Sequence, residues 1–233
     1  MPFNLLLFPL VGGYYLIIRL ERFKYIQQRL DSQKLLFNSV IAGSFLLILS
    51  FLISSLFIYF FPTQAEYLKA IPPLNRPYFA TTLLSFFISI VITETGNLFI
   101  DRDLAISRSI DKIGNELELL VKLSFETDQL IQFTLKNDKF YIGWAETLPI
   151  PQRSNYIRII PAFSGYRHKE TKKLVFTTQY LDIYSAYIRE GAVNSIEELN
   201  MNLVIKSDDI LLANTFNIEM YERFNSLSVE PGK

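Results

Sequence analysis

Long uncharged apolar stretches dominate residues 1–100. The longest, residues 35–61, contains no charged side chain. As a helix it would measure roughly 40 Å, which exceeds the ~30 Å hydrocarbon core of a bilayer. A second run, residues 78–100, has Glu94 as its single charged residue and is followed at once by Asp101. This pattern predicts two membrane-spanning helices.

A shorter apolar run, residues 3–18, is interrupted by Pro9 and by the pair Gly12 and Gly13. A signal peptide carries positive charge before its apolar stretch and small residues at the cleavage site. Here the positive charge comes afterwards, beginning at Arg19. We therefore predict a retained span, with a re-entrant segment and a signal sequence as the alternatives.

The loop charges predict an orientation. Lysine and arginine in short loops favour the cytosolic side. Five such residues lie between the first and second runs, namely Arg19, Arg22, Lys24, Arg29 and Lys34. Only Lys69 and Arg76 lie between the second and third runs, and Arg102, Arg108 and Lys112 follow the third. We predict a protein of a bacterial inner membrane with a cytosolic C-terminal half.

Small residues recur at helical spacing in the second and third runs, namely at Ser39, Gly43, Ser50 and Ser54 and at Thr81, Ser85 and Ser89. Small side chains let membrane helices approach closely. The stripes indicate either packing within one hairpin or an oligomer interface or pore lining. Glu94 lies near the cytosolic end of its run, where an ionisable residue is a functional candidate or reaches the interface.

Residues 101–124 predict a helical connector. Its apolar positions follow a heptad-like spacing over about two heptads: Ile106, Ile110, Ile113, Leu117 and Leu120. Packing on the following domain and self-association both fit this pattern.

The hydrophobic period changes from that of a helix to that of a strand after residue 125. Apolar residues alternate with polar ones in residues 130–136 and again in 139–145, with Asn137 and Asp138 between them. This pattern predicts a β-hairpin.

Further strands are expected at 156–161 and 173–178, and a pair at 203–205 and 210–213. A short helix at 218–224 and a flexible tail at 225–233 follow. Several short strands in about 100 residues predict a small cytosolic β-barrel over 125–224. The fold class is α+β overall, a membrane module of two to three spans plus this barrel.

The hairpin segment LIQFTLKNDKFYIGWAE resembles the opening hairpin of Sm-like and SH3-like small barrels. Leu135, Tyr141 and Gly143 match that pattern. The resemblance implies that Gly143 lets its strand bend sharply. It covers about 17 residues, and the segments 146–154 and 180–199 depart from the compact family, so no RNA contacts are carried over.

Composition argues against an enzyme. The chain has no cysteine and a single histidine, His168. The lack of cysteine excludes disulfides, iron–sulfur clusters, thiolate zinc sites and cysteine nucleophiles. A catalytic triad or a metal site built on histidine would have only this one histidine available. We predict no catalytic residues, no metal and no cofactor.

One basic stretch is a candidate ligand site. Residues 153–173 carry six basic residues against the single acid Glu170, with aromatic residues interleaved. Arginine forks and stacking rings suit phosphate and base recognition. The candidate ligand-binding residues are Arg153, Tyr156, Arg158, Tyr166, Arg167, His168 and Lys169. The alternatives are a solvated loop, contact with anionic lipid headgroups, and an acidic protein partner.

These features predict a non-enzymatic anchor, sensor or effector. Its barrel would bind a soluble protein partner or an anionic ligand such as a nucleotide or nucleic acid, while its helices contact lipid and form a homo-oligomer. The layout resembles that of bacterial antiphage effectors in which a ligand-binding domain drives membrane disruption. A structural subunit that docks a soluble enzyme and an oligomeric channel lined by Glu94 and the residue 81–97 stripe are the competing hypotheses.

Overall fold

The structure, a computed structural model, describes residues 3–28, 31–150, 155–171, 173–191, 198 and 201–226. The chain divides into two compact units, residues 1–109 and 110–233. The candidate residue Arg153 and the predicted tail from residue 227 onward lie outside the described residues. Residues 225 and 226 belong to the last helix.

The first unit is helical. A 3₁₀ turn, Phe3–Leu6, leads into α1, Leu7–Arg19, and the helices that follow are α2, Glu21–Gln27, α3, Ser32–Phe60, α4, Pro62–Ala70, and α5, Phe79–Phe99. Two of these, α3 with 29 residues and α5 with 21, are long and apolar enough to cross a membrane. The first apolar run is shorter, because α1 has 13 residues and measures roughly 20 Å.

Glycine permits the close packing of α1 on α3. A Cβ atom on Gly13 would lie 2.2 Å from the Ser39 carbonyl oxygen, and one on Gly43 would lie 2.4 Å from the Pro9 carbonyl oxygen. Real Cβ atoms do not approach backbone atoms so closely, so both positions require glycine. α1 also packs on α5, with Gly12 next to Ser89. Pro9, Gly12 and Gly13, which interrupt the first apolar run, are therefore among the residues through which α1 contacts α3 and α5.

The predicted connector is interrupted. It forms α6, Arg102–Ile113, and α7, Glu116–Thr127, instead of one helix. Gly114 between them has a φ of +71°, a left-handed conformation that ends a helix. The Asn115 side chain then caps α7 by accepting hydrogen bonds from the backbone N–H groups of Leu117 and Glu118.

The second unit contains an antiparallel sheet. Its strands are β1, Ile131–Leu135, β2, Lys139–Ala145, β3, Tyr156–Arg167, β4, Leu174–Gln179, β5, Leu203–Lys206, and β6, Ile210–Thr215. The order is β4-β3-β2-β1-β6, and β5 pairs with the first part of β3. Two helices complete the unit. The helix α8, Tyr180–Arg189, was not predicted from the sequence, and α9, Ile218–Ser226, is longer than the helix predicted at 218–224.

The sheet is not a closed barrel, so the barrel prediction is wrong in this respect. The strands expected at 203–205 and 210–213 are present, but they do not pair with each other among the described residues. β5 bonds to β3 and β6 bonds to β1. The 3₁₀ turn Ser207–Asp209 lies between them, and because the two strands pair with different neighbours the ladder is left open.

The predicted hairpin is confirmed, and it is buried on both faces. On one face Ile131 and Phe133 pack with Val121 of α7. On the other, Phe140 and Ile142 pack with Phe216. Gln132 and Thr134, which alternation would leave in water, are buried, and the Gln132 side-chain amide donates to the Thr134 hydroxyl. The ladder with β3 shifts register between Ile142 and Gly143, at the glycine expected to bend its strand.

Candidate functional site

The predicted basic site is divided by the length of β3. Tyr156 and Arg158 lie at the start of this strand, whereas Tyr166 and Arg167 lie at its end. Ten residues of strand separate Tyr156 from Tyr166, which corresponds to roughly 30 Å along the chain. A single small ligand therefore cannot contact both groups.

At the start of β3, Arg158 forms an ion pair with Glu146. Its Nε lies 3.4 Å from Oε2 of Glu146, and the Glu146 backbone N–H donates to the Arg158 carbonyl. The other Glu146 carboxylate oxygen accepts a hydrogen bond from the Asn202 side chain. The sequence pattern does not predict the hydrogen bond between Glu146 and Asn202, because these residues lie 56 positions apart.

At the end of β3, two turns form a pocket of about 510 Å³. It is lined by Asn137 and Asp138 of the β1–β2 turn and by residues 166–170. The Arg167 N–H donates to the Asp138 carbonyl, and the His168 N–H donates to the Lys173 carbonyl. Nδ1 of His168 accepts from the Thr171 N–H, which places the proton of the neutral imidazole on Nε2. The structure thus brings together Tyr166, Arg167, His168 and Lys169.

The charge in this pocket is mixed. Arg167 and Lys169 line it together with the carboxylates of Asp138 and Glu170, so the formal charges balance when His168 is neutral. A strongly anionic ligand such as a nucleotide gains little from a balanced site. The exposed ring of Tyr166 also lines the pocket.

A second concave surface of about 560 Å³ runs between α7 and β6 and is largely apolar. Leu211 is 68% exposed and Leu212 is 50% exposed. Among the described strands only β1 pairs with β6, so the outer edge of β6 carries no partner there. Two consecutive exposed leucines in a strand break alternation, and this is the signal that could have located the groove.

Most of the small residues predicted for the membrane interface lie inside the first unit. Ser39, Gly43, Ser50, Ser85 and Ser89 are buried, whereas Ser54 and Thr81 are half-buried. The buried hydroxyls donate to carbonyls of their own helices, as Ser85 does to Thr82. This placement brings the stripes against the chain's own helices. An oligomer interface at these residues remains a prediction.

Glu94 is exposed and paired. The Tyr15 hydroxyl donates to its Oε1 at 2.5 Å, and an Arg19 guanidinium nitrogen lies 3.8 Å from the same oxygen. Arg19 also lies 6.0 Å from the centre of the Tyr15 ring. The acid inside this apolar run is thus paired with polar groups of α1.

Sequence reasoning missed the polar contacts that fix the bend between α1 and α2. The Asn97 side chain accepts from the Glu21 N–H at 2.9 Å and donates to the Arg19 carbonyl at 3.1 Å. Arg102 donates to the hydroxyl of the buried Tyr25. These partners lie more than 70 residues apart in sequence, and no local pattern marks them.

No group of three or more potential metal-ligating His, Asp or Glu side chains lies together in the part of the chain that the structure describes.

Comparisons with protein-family models, with curated proteins and with solved structures give no match to this chain.

Proposed function

We propose that this chain is a non-enzymatic membrane anchor. In this proposal α3 and α5 cross a bilayer, and the sheet unit binds a soluble protein partner on the cytosolic side.

One observation carries the membrane part of the proposal, namely an inverted distribution of polarity in the first unit. Its buried interior includes Ser50, Thr82, Ser85, Ser89 and Thr93. Its surface carries large apolar side chains over the length of both long helices, with Phe37 and Phe45 each 68% exposed. Within the most apolar 18-residue windows, 17% of α3 and 22% of α5 is buried.

This distribution suits lipid and does not suit water. A core helix of a soluble protein is mostly buried, and soluble monomers rarely expose continuous apolar patches of more than a few hundred Å². In lipid, helices associate through small residues and interior hydroxyls. The Gly13–Gly43 contact and the interior serines are of this kind.

The orientation follows from charge. Five cations between residues 19 and 34 stand against two between residues 62 and 77. Because lysine and arginine favour the cytosolic side, the loop with α4 faces outward and the sheet unit lies in the cytosol.

The surface of the sheet unit supports a protein partner over a small anion. The pocket at residues 166–170 has balanced charge, and the groove beside β6 exposes leucines. Protein interfaces combine apolar contacts with a polar rim. The burial of Ser85 and Ser89 gives no support to a pore, so we do not propose a channel.

Membrane insertion is tested by alkaline extraction of isolated membranes, together with reporter fusions at Lys233 and in the α4 loop. We expect the chain to stay in the pellet, with a cytosolic signal only from the Lys233 fusion. Release of the chain into the supernatant would refute insertion, and an opposite reporter pattern would refute the orientation.

Partner binding is tested by cross-linking in membranes followed by affinity purification of the full chain. Lys169→Glu in the pocket and Leu211→Glu in the groove remove features of the two surfaces. Lys206→Glu, an exposed lysine of the same unit outside both, is the control. If neither surface variant loses a protein that wild type captures, the partner does not use these surfaces.

A further inference from the structure

The first unit contains a cavity of about 530 Å³ at the end where α3 meets α5 through the α4 loop. Its wall is mainly apolar and comes from all three helices, with Ile53, Phe57, Ile58, Leu68 and Leu84 among the lining residues. This size lies within the range of small-molecule sites. The cavity is therefore large enough for part of an acyl chain.

Two cations and an amide line the same cavity, namely Lys69, Arg76 and Asn75. No carboxylate is among the described lining residues, and neither Lys69 nor Arg76 forms an ion pair with a described acid. Glu66, the nearest acid along α4, makes no such pair either. Two unneutralised cations beside an apolar cavity complement an anionic head on an apolar tail.

The backbone fixes the position of Arg76. Its N–H donates to the Pro73 carbonyl at 3.1 Å, and its own carbonyl accepts from the Phe79 N–H at 3.2 Å. Lys69 lies in the last turn of α4, whose Ala65 is buried. The two cations are thus held on hydrogen-bonded elements on the two sides of the turn.

Exposed tyrosines mark this end of the unit. Tyr59, Tyr67 and Tyr78 are all exposed near the cavity. Tyrosine is enriched where membranes meet water, because its ring is apolar and its hydroxyl is polar. If α3 and α5 cross a bilayer as proposed, these tyrosines place the cavity at the depth of the lipid phosphates.

We propose that this cavity binds one anionic glycerophospholipid. Its phosphate lies between Lys69 and Arg76, Asn75 donates to it, and an acyl chain fills the apolar wall. The inference rests on the proposed insertion of α3 and α5 in a bilayer.

The experiment uses native mass spectrometry of the full chain in detergent, titrated with phosphatidylglycerol or phosphatidylcholine of identical acyl chains. Wild type should retain one phosphatidylglycerol in preference to phosphatidylcholine. Lys69→Gln with Arg76→Gln should reduce this preference by roughly tenfold or more, because two charge contacts are lost. Arg22→Gln with Lys34→Gln removes two exposed cations from the opposite end of the unit and should leave the preference unchanged.

A second variant separates the tail from the head. Thr81→Phe fills the cavity and should weaken binding of both lipids, whereas Thr95→Phe, an exposed threonine of the same helix, should not. Equal affinity for the two lipids, an unchanged preference in the double glutamine variant, or equal competition by inorganic phosphate alone would overturn the proposal. A chain that is monodisperse without detergent would refute membrane insertion instead, so the two failures are distinguishable.

Discussion

Gly13 of α1 and Gly43 of α3 meet so closely that a Cβ atom on Gly13 would lie 2.4 Å from the Gly43 amide nitrogen. The neighbouring atoms are backbone, which cannot rotate aside as a side chain can. The packing of α1 on α3 therefore depends on two glycines that are 30 positions apart in the chain.

The first prediction concerns this contact. Gly13→Ala should destabilise the first unit by about 1–3 kcal/mol, because added volume at a tight contact forces the helices apart. Thermal unfolding of the detergent-solubilised chain measures the effect. Gly96→Ala is the control, since a Cβ there would meet only the end of the Leu20 side chain. Equal melting temperatures for the two variants would contradict the prediction.

The second prediction concerns the bend between α1 and α2. Asn97→Ala removes one acceptor and one donor from backbone groups of Arg19 and Glu21. We expect a loss of about 1–3 kcal/mol, the usual effect of leaving such groups without their partner. Thr95→Ala, at an exposed position two residues away, should cost much less in the same melting assay. Asn97→Asp keeps only the acceptor, so its loss of stability should lie between those of Asn97→Ala and Thr95→Ala.

The third prediction is a pH dependence at Glu21. Burial raises the pKa of its carboxyl, but hydrogen bonds from Lys24 and Tyr25 and the charges of Lys24 and Arg102 outweigh it, so the pKa lies below its ordinary value of 4.5. A carboxyl with a lowered pKa stabilises the folded state above its unfolded pKa. That stabilisation disappears as the pH falls through the folded pKa.

Melting curves of wild type and Glu21→Gln between pH 7 and pH 3 test this dependence. The wild type should be the more stable at pH 7, and the difference should shrink as the pH falls below about 4.5. A difference that stays constant over this range would mean that the Glu21 charge contributes nothing to stability.

The fourth prediction concerns the start of α7. Asn115→Ala removes the side chain that accepts from Leu117 and Glu118 and should destabilise the second unit by about 1 kcal/mol. Asn115→Ser should retain most of the stability, because serine is also a strong cap. Chemical denaturation followed by the fluorescence of Trp144 provides the measurement. Equal losses for alanine and serine would show that the cap is not responsible.

Local patterns predicted the elements whose signal is local. The uncharged run ending at Phe61 became α3, and the alternation around Asn137 and Asp138 became the β1–β2 hairpin. In each case the information lies within one element, since charge-free length defines a long apolar helix and a period of two defines a strand.

The binding residues show what such patterns miss. Basic residues that are close in sequence, such as Arg158 and Arg167, lie towards opposite ends of one extended strand. Sequence proximity therefore overestimated their spatial proximity. Acids from elsewhere, Glu146 at one end and Asp138 at the other, then offset the positive charge that composition indicated.

The sequence by itself determined which segments are apolar helices and which are strands, because those preferences depend on side-chain periodicity and on charge along a few turns. Tertiary structure alone decided that β6 pairs with β1 and not with β5, that Asn97 joins α5 to the bend at Arg19, and that the hairpin is covered on both faces. The β6–β1 pairing, the Asn97 contact and the packing of Phe216 on the hairpin join groups about 70 to 85 residues apart. They are selected by shape, burial and hydrogen-bond satisfaction in the folded chain, and no short stretch of sequence contains that information.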